Sequence, residues 1–160
     1  MTDEVQLVVF SLKRGQELCE YGIPITTVQE IITITNPTQL PQTPDFVEGI
    51  INLRGKIIPI VDLKKRFNMG QSELHADTRS IVVELQGRTV GIIVDEVTEV
   101  LRVPAADIEP PPQGISSVDA DYLTGIGKIG NRLLVILDLE EIFSEKEKRE
   151  LMKVPCEMAV

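Results

Sequence analysis

The stretch GIINLRGKIIPIVDL, residues 49–63, places apolar runs on both sides of one short polar turn. The turn holds Arg54, Gly55 and Lys56, and the flanking residues are rich in Ile and Val. Because β-branched residues favour strands and glycine favours a tight bend, this stretch predicts a β-hairpin. An arginine at the bend of so apolar a hairpin needs a reason, which the rest of the chain has to supply.

Similar patterns on both sides of the hairpin predict a mainly β chain. Further strands are expected at residues 5–12, 17–23 and 28–35, and as a pair within 80–97. The run LKKRF at 63–67 predicts a short helical turn, and the polar segment 68–79 predicts an exposed loop between two halves. With 160 residues and 42% hydrophobic side chains, the chain can form one compact domain or two small, closely packed ones, and we treat 1–160 as a single domain.

The two halves repeat each other. Residues 28–32 (VQEII) resemble 97–101 (VTEVL), and residues 49–67 resemble 125–143, with an Asp-Leu near the end of each longer match. Chance similarity between two β-rich stretches is the alternative, but the common order and spacing favour a duplicated small barrel. The expected pseudo-repeats are 5–67 and 80–143.

A C-terminal helix is predicted over residues 139–153. Ser144 with Glu147 fits a capping box, and Glu145 with Arg149 can pair across one turn. A helix that packs against the fold and closes it is the favoured interpretation.

Composition excludes several classes of function. The chain has 16 Lys and Arg against 25 Asp and Glu, a net charge of −9, so it lacks the basic face that nucleic-acid binding needs. Cys19 and Cys156 are far apart and form no CxxC, which excludes a disulfide framework or a cysteine zinc site. His75 is the single histidine, so neither a metal centre nor a histidine-based triad is expected. We therefore expect no catalytic residues, no metal and no cofactor.

The sequence also shows no recognisable signal peptide or membrane-spanning segment. The first residues, MTDEVQLVV, have no basic region followed by a long apolar core, and no apolar run approaches the length needed to span a bilayer. We expect a cytoplasmic protein without direct membrane insertion.

Arg54 and Glu30 are charges within strand-rich apolar stretches, where an unpaired charge is costly to bury. One interpretation makes Arg54 an exposed turn residue without a role. The other has Glu30 hold the guanidinium in a fixed pose beside exposed aliphatic side chains, where it can recognise a partner surface. The residues alone leave both interpretations open.

Four segments together resemble the CheW family, the bacterial chemotaxis coupling proteins. They are VQEI at 28–31, FVEGIINLRGKIIPIVDLKKRF at 46–67, and the runs at 79–103 and 122–143. The same module forms the regulatory domain of the chemotaxis kinase CheA and part of the CheV proteins. A chain of 160 residues resembles the stand-alone adaptor.

The resemblance implies two five-stranded SH3-like β-barrels packed together, with a C-terminal helix and short helical turns. It also implies a non-catalytic scaffold that couples transmembrane chemoreceptors to the histidine kinase CheA, recruited to receptor arrays at the inner face of the membrane. An exchange of terminal strands between the barrels is one arrangement that the sequence leaves open.

The resemblance also implies two sets of binding residues. The motif residues Val28, Glu30 and Arg54 are expected at the groove for the cytoplasmic tip of the receptor. Val8, Ile31 and Val97 are expected to line that groove. The connection at 36–45, including Leu40, and Gly49 are expected to contribute to the surface for the CheA regulatory domain.

The alternative function is a small-molecule-binding β-barrel module. It would need a cleft with convergent polar groups, and the shortage of His, Trp and clustered ligands argues against it.

Overall fold

Strands account for most of the chain, as its Ile and Val content predicts. The computed structural model describes residues 3–34, 36–41, 43–67, 70, 73–85, 87–110 and 123–142. The strands in these residues are Glu4–Arg14 (β1), Glu17–Pro24 (β2), Val28–Thr33 (β3), Val47–Leu53 (β4), Lys56–Asp62 (β5), Arg79–Leu85 (β6), Arg88–Val94 (β7), Glu96–Pro104 (β8), Ile108–Glu109 (β9), Leu123–Ile129 (β10) and Arg132–Leu137 (β11).

In the described residues, two short α-helices, α1 (Leu63–Arg66) and α2 (Leu139–Ile142), follow β5 and β11. Two 3-10 turns, Ile25–Thr27 and Ala105–Asp107, follow β2 and β8. Each α-helix begins at the Asp-Leu pair that the two halves share. The carboxylate of Asp62 accepts a hydrogen bond from the Lys64 amide at 3.1 Å, and that of Asp138 accepts one from the Glu140 amide at 3.0 Å. The repeated aspartate is therefore an N-cap, which satisfies an amide that the helix itself leaves unpaired.

The strands form two barrel-like sheets. The six-stranded barrel has the order β8-β1-β2-β11-β10-β9, and the five-stranded barrel has the order β3-β6-β7-β5-β4. Neighbouring strands are antiparallel except for β2 with β11 and β5 with β7, which are parallel. The same sequence of pairings therefore occurs in both barrels.

The barrels do not coincide with the sequence repeats, because the first hairpin of each repeat lies in the barrel built mainly from the other repeat. Hairpin β1–β2 pairs with β8 and β11 of the second repeat, and hairpin β6–β7 pairs with β3 and β5 of the first. The exchange of strands that the sequence left open is present, and it links the halves through backbone hydrogen bonds.

Three apolar clusters lie among the residues that the structure describes. One lies among strands of the six-stranded barrel, around Leu7 and Leu134, and a second lies within the five-stranded barrel, around Ile58 and Ile93. The largest cluster, here called the shared core, takes buried residues from both sheets, including Phe10, which is 1% exposed. Full burial of such side chains contributes about 1.5–3 kcal/mol each relative to exposure, so the shared core holds the two barrels together.

The predicted fold class is confirmed: the protein is mainly β, with two barrel-like halves, short helical turns and the beginning of a helix at Leu139. One barrel has six strands instead of five because the two-residue strand β9 pairs with β10. In the other barrel, the corresponding contact is a single bridge between Thr38 and Ile50. Residues 143–153 of the predicted C-terminal helix lie outside the described residues.

Candidate docking site

The turn between β4 and β5 is a two-residue hairpin connection with an unusual occupant. Arg54 has φ 51° and Gly55 has φ 86°, the pair of positive φ angles that defines a type I′ turn. The side-chain oxygen of Asn52 accepts a hydrogen bond from the Gly55 amide at 2.8 Å and fixes the bend. Among the described residues, Arg54 is the one non-glycine residue with positive φ.

Of the two interpretations of Arg54, the structure has the one in which it pairs with Glu30, and the ion pair is bidentate. Nη1 of Arg54 donates to Oε1 of Glu30 at 2.9 Å, and Nη2 donates to Oε2. Glu30 lies on β3 and Arg54 follows β4, and these two strands are the opposite edges of the five-stranded sheet. The pair therefore joins the sheet's two edges, with the arginine side chain 69% exposed and the glutamate side chain 31% exposed.

The pairing further favours the charged form of both groups. The hydrogen bond from Arg54 lowers the pKa of the Glu30 carboxyl below its ordinary value, and the charge of Arg54 lowers it further. The hydrogen bond to Glu30 in turn raises the pKa of the Arg54 guanidinium. Both groups are therefore ionised near neutral pH, and the arginine fork stays oriented while most of its surface faces solvent.

Aliphatic side chains flank this pair on β3. A β-bulge between Val28 and Glu30 shifts the register of the strand against β6, so that Ile31 comes to lie opposite Ile81 of the shared core. Ile31 is 40% exposed, and Val28 packs half-buried against the shared core. Glu30 lies opposite Val82, so the ion-paired glutamate and the exposed isoleucine occupy adjacent positions of one short edge strand.

Strand β8 repeats this arrangement. It has the same bulge between Val97 and Glu99, and Val97 packs half-buried against the shared core, as Val28 does. The next aliphatic residue, Val100, is 51% exposed. Val100 is not among the residues predicted from the sequence, although the match of 28–32 with 97–101 places it at the position of Ile31. We call Val28, Ile31, Val97 and Val100 the aliphatic edge residues.

Val8 lies differently from the other residues expected in the groove. It is 1% exposed within the shared core and pairs with Val100 on the neighbouring strand. Its side chain supports β8 from below instead of adding to the surface. The alternation of side chains along β1 predicts whether Val8 points into its own barrel or away from it. It does not predict that the other barrel packs on the outer side and buries Val8 there.

The residues expected at a kinase surface lie close together at the edge of the five-stranded barrel. Gly49 is buried, and a Cβ atom added there would lie 2.2 Å from the carbonyl oxygen of Thr38. Leu40, two residues after Thr38, is half-buried. The close backbone contact gives Gly49 a structural reason to lack a side chain, whatever this edge binds.

The part of the chain that the structure describes contains neither a cluster of metal ligands nor a helix that could cross a membrane. Within residues 3–110 and 123–142, apart from the positions left out above, no three His, Cys, Asp or Glu side chains converge to hold a metal ion. The helices in these ranges are all too short or too polar to cross a membrane.

Comparison with known proteins identifies the origin of this arrangement. The CheW-like domain model matches residues 6–147. The chain belongs to the CheW-like family.

Individual relatives cover nearly the whole chain. A chemotaxis protein CheW of Treponema pallidum is 37% identical over 93% of this chain and 88% of its own length. A chemotaxis protein CheW of Klebsiella aerogenes is 40% identical over 89% of this chain and 83% of its own length. The crystal structure of the scaffolding protein TtCheW from Thermoanaerobacter tengcongensis superposes with a TM-score of 0.78, at 41% identity and 92% coverage of both chains.

These matches confirm the resemblance drawn from the sequence. The matches to CheW proteins along nearly the whole chain identify it as a scaffold or adaptor of the CheW type, and CheW proteins are non-catalytic. The oriented arginine and the aliphatic edge residues are features suited to protein recognition, which is the chemistry a scaffold needs.

Proposed function

We propose that this protein couples chemoreceptors to the histidine kinase CheA by binding both through separate surfaces. The observation that carries the receptor half is the bidentate Arg54–Glu30 pair beside exposed Ile31 on a bulged edge strand. Helix-in-groove recognition uses aliphatic anchors together with a polar group that fixes register. The site offers both, on β3 and on the β4–β5 turn whose arginine pairs with Glu30.

The receptor surface consists of the aliphatic edge residues and the Arg54–Glu30 pair. Val28 and Val97 pack against one shared core, so both bulged strands border the same buried cluster. The cytoplasmic tip of a receptor, a helical hairpin, would place apolar side chains against the aliphatic edge residues and a polar side chain against Arg54. Val8 supports the surface from below.

The kinase half of the proposal concerns the edge at Leu40 and Gly49, which would pair with the regulatory domain of CheA, barrel against barrel. An adaptor of this kind works at receptor arrays on the inner face of the membrane. Signalling contacts of this type are often weak, with dissociation constants of about 1 μM, and repeated contacts within an array raise the effective affinity.

The experiment is co-sedimentation of the full chain with receptor cytoplasmic fragments and CheA. Arg54→Glu places a carboxylate against Glu30 and should weaken receptor binding by about tenfold or more, with the fold and kinase binding retained. Glu30→Lys should weaken receptor binding too, and the double variant Arg54→Glu/Glu30→Lys should restore part of it.

Lys128→Glu is the matched control. Lys128 forms an ion pair with Glu109 at 2.8 Å, with both side chains more than half exposed, in the other barrel. This variant should bind the receptor fragment as the unmodified chain does. Normal receptor binding by Arg54→Glu, or equal losses in Arg54→Glu and Lys128→Glu, would exclude the proposed surface.

A thermal-shift screen against metabolites and nucleotides tests the alternative of a small-molecule-binding barrel. A large, saturable rise in Tm with one compound would favour that alternative over the adaptor.

A further inference from the structure

The six-stranded barrel contains a second arginine–glutamate cluster. Nη2 of Arg132 donates to Oε2 of Glu20 at 2.7 Å and to Oε2 of Glu99 at 3.3 Å, and Nε donates to Oε1 of Glu20 at 3.3 Å. These residues come from β11, β2 and β8, so one guanidinium ties together three strands. The hydrogen bond to Glu20 raises the pKa of Arg132, which keeps the guanidinium charged.

Glu99 occupies the same place in its strand as Glu30. Each glutamate directly follows the bulge of an edge strand, and each is followed by an exposed aliphatic residue, Ile31 or Val100. The arginines are not equivalent in sequence. Arg54 lies inside its turn, whereas Arg132 is the first residue after its turn, where the first repeat has Lys56. The two equivalent glutamates therefore pair with arginines at different positions of the repeat.

The cluster adds a side-chain restraint to an edge strand of the six-stranded barrel. Strand β8 pairs on one side only, with β1, and its bulge interrupts the ladder at Thr98. Both carboxylates of the cluster contact the same Nη2 atom, so Glu20 and Glu99 would repel each other without the arginine. Arg132 therefore holds the Glu99 carboxylate near β2 and β11, within the stretch of β8 that carries Val97 and Val100.

We propose that Arg132 is a positioning residue for receptor docking: it holds β8 so that Val97 and Val100 present their side chains correctly. This inference rests on the proposed function. Arg132 need not touch the receptor itself, and its effect on binding passes through Glu99 and β8. The Arg132–Glu99 contact thereby positions β8 for docking, as the Arg54–Glu30 contact positions β3.

The test measures receptor-fragment affinity for the full chain carrying Arg132→Met, with Lys128→Met as the matched control in the same barrel. Arg132→Met should weaken binding by about threefold to tenfold, Arg132→Lys should weaken it less, and Lys128→Met should leave it unchanged. Kinase binding and the amide NMR spectrum outside β8 and its neighbours should persist in all three. Because Arg132→Lys keeps the charge, it remains informative if the methionine variant folds poorly.

A double-mutant cycle separates positioning from a general loss of stability. Arg132→Met combined with Val100→Ala should be non-additive, because both changes act on β8, whereas Arg132→Met combined with Ile31→Ala should be additive. Binding of Arg132→Met within twofold of the unmodified chain, or additivity in both cycles, would overturn the proposal. No receptor binding by the unmodified chain would instead overturn the adaptor function on which it rests.

Discussion

Arg54 adopts a backbone conformation that suits glycine better than arginine. Its φ of 51° lies in the left-handed region, where a Cβ atom crowds the following carbonyl oxygen. The equivalent position in the second repeat is Gly130, with φ 58°. The turn geometry is therefore shared by both repeats, and the first repeat accepts backbone strain to keep an arginine side chain at this position. Strain of this kind is typical of functional residues.

The first prediction replaces Arg54 by the residue that the other repeat uses. Arg54→Gly should leave Tm unchanged or raise it by a few degrees, because relief of backbone strain offsets the loss of an exposed ion pair. Receptor-fragment binding should fall clearly at the same time. Thermal denaturation measures the stability, and co-sedimentation of the same sample measures receptor binding. A variant that loses stability and binding together would contradict the prediction.

The second prediction concerns the ionisation of Glu30. Arg54 holds its pKa below the ordinary value of 4.5, so the pair contributes stability above that pH and loses it as pH falls through the lowered pKa of the folded state. NMR titration of the Glu30 carboxyl carbon should give a pKa below 4.5, and in Arg54→Gln the pKa should rise toward 4.5. An unchanged pKa in Arg54→Gln would show that the pair is not formed in solution.

At the scale of elements, the two bulged hairpins β4–β5 and β10–β11 show why certain glycines are required. The bulges lie between Val47 and Gly49 and between Leu123 and Gly125. A Cβ atom at Gly49 would lie 2.2 Å from the Thr38 carbonyl oxygen, and one at Gly125 would lie 2.8 Å from the Glu109 carbonyl oxygen. In both barrels a neighbouring backbone segment crosses directly over the glycine, which leaves no space for a side chain.

The third prediction uses this contact. Gly49→Ala should lower the free energy of unfolding by about 2–4 kcal/mol, since a backbone oxygen cannot yield and the positive φ adds strain. Gly15→Ala is the control: Gly15 also has a positive φ but has open space around its Cβ position, so its cost should be only about 1 kcal/mol. Urea denaturation measures both.

Equal costs in the two alanine variants would contradict the crossing of Thr38 over Gly49. Loss of kinase binding in Gly49→Ala supports a kinase surface there only if the variant remains folded.

Local pattern was sufficient for much of the fold and for part of the site. The NLRG turn and the VQEI strand are both encoded within short segments, so the hairpin and the strand could be predicted from them. The Arg54–Glu30 pair was one of two interpretations that the residues left open, and the bulge in the strand was not predicted. The Arg132 cluster was missed because Glu20 and Arg132 are 112 residues apart. Its one sequence signal is the match of Glu99 with Glu30. That match does not reveal which arginine forms the ion pair with Glu99.

At the scale of the whole molecule, the duplication was visible in the sequence but the exchange of hairpins was not. Repeats identify which segments are equivalent, whereas strand pairing depends on contacts between segments far apart in the chain. Hairpin β1–β2 has the same residue pattern whether it joins its own repeat or the other one. The exchange makes each barrel incomplete without both halves of the chain, so the two barrels should fold together as one cooperative unit.

The fourth prediction tests that dependence by dividing the chain after Gly70, an exposed position between the repeats. Fragment 1–70 keeps β1–β5 but lacks β8 and β11, the partners of its first hairpin, and fragment 71–160 lacks the partners of β6–β7. Isolated hairpins are marginally stable, so each fragment alone should lack a cooperative thermal transition. Mixing the two should restore the β spectrum and a 1:1 complex in sedimentation velocity. A fragment that folds cooperatively by itself would show that a single repeat suffices and that the exchanged hairpins are not what joins the barrels.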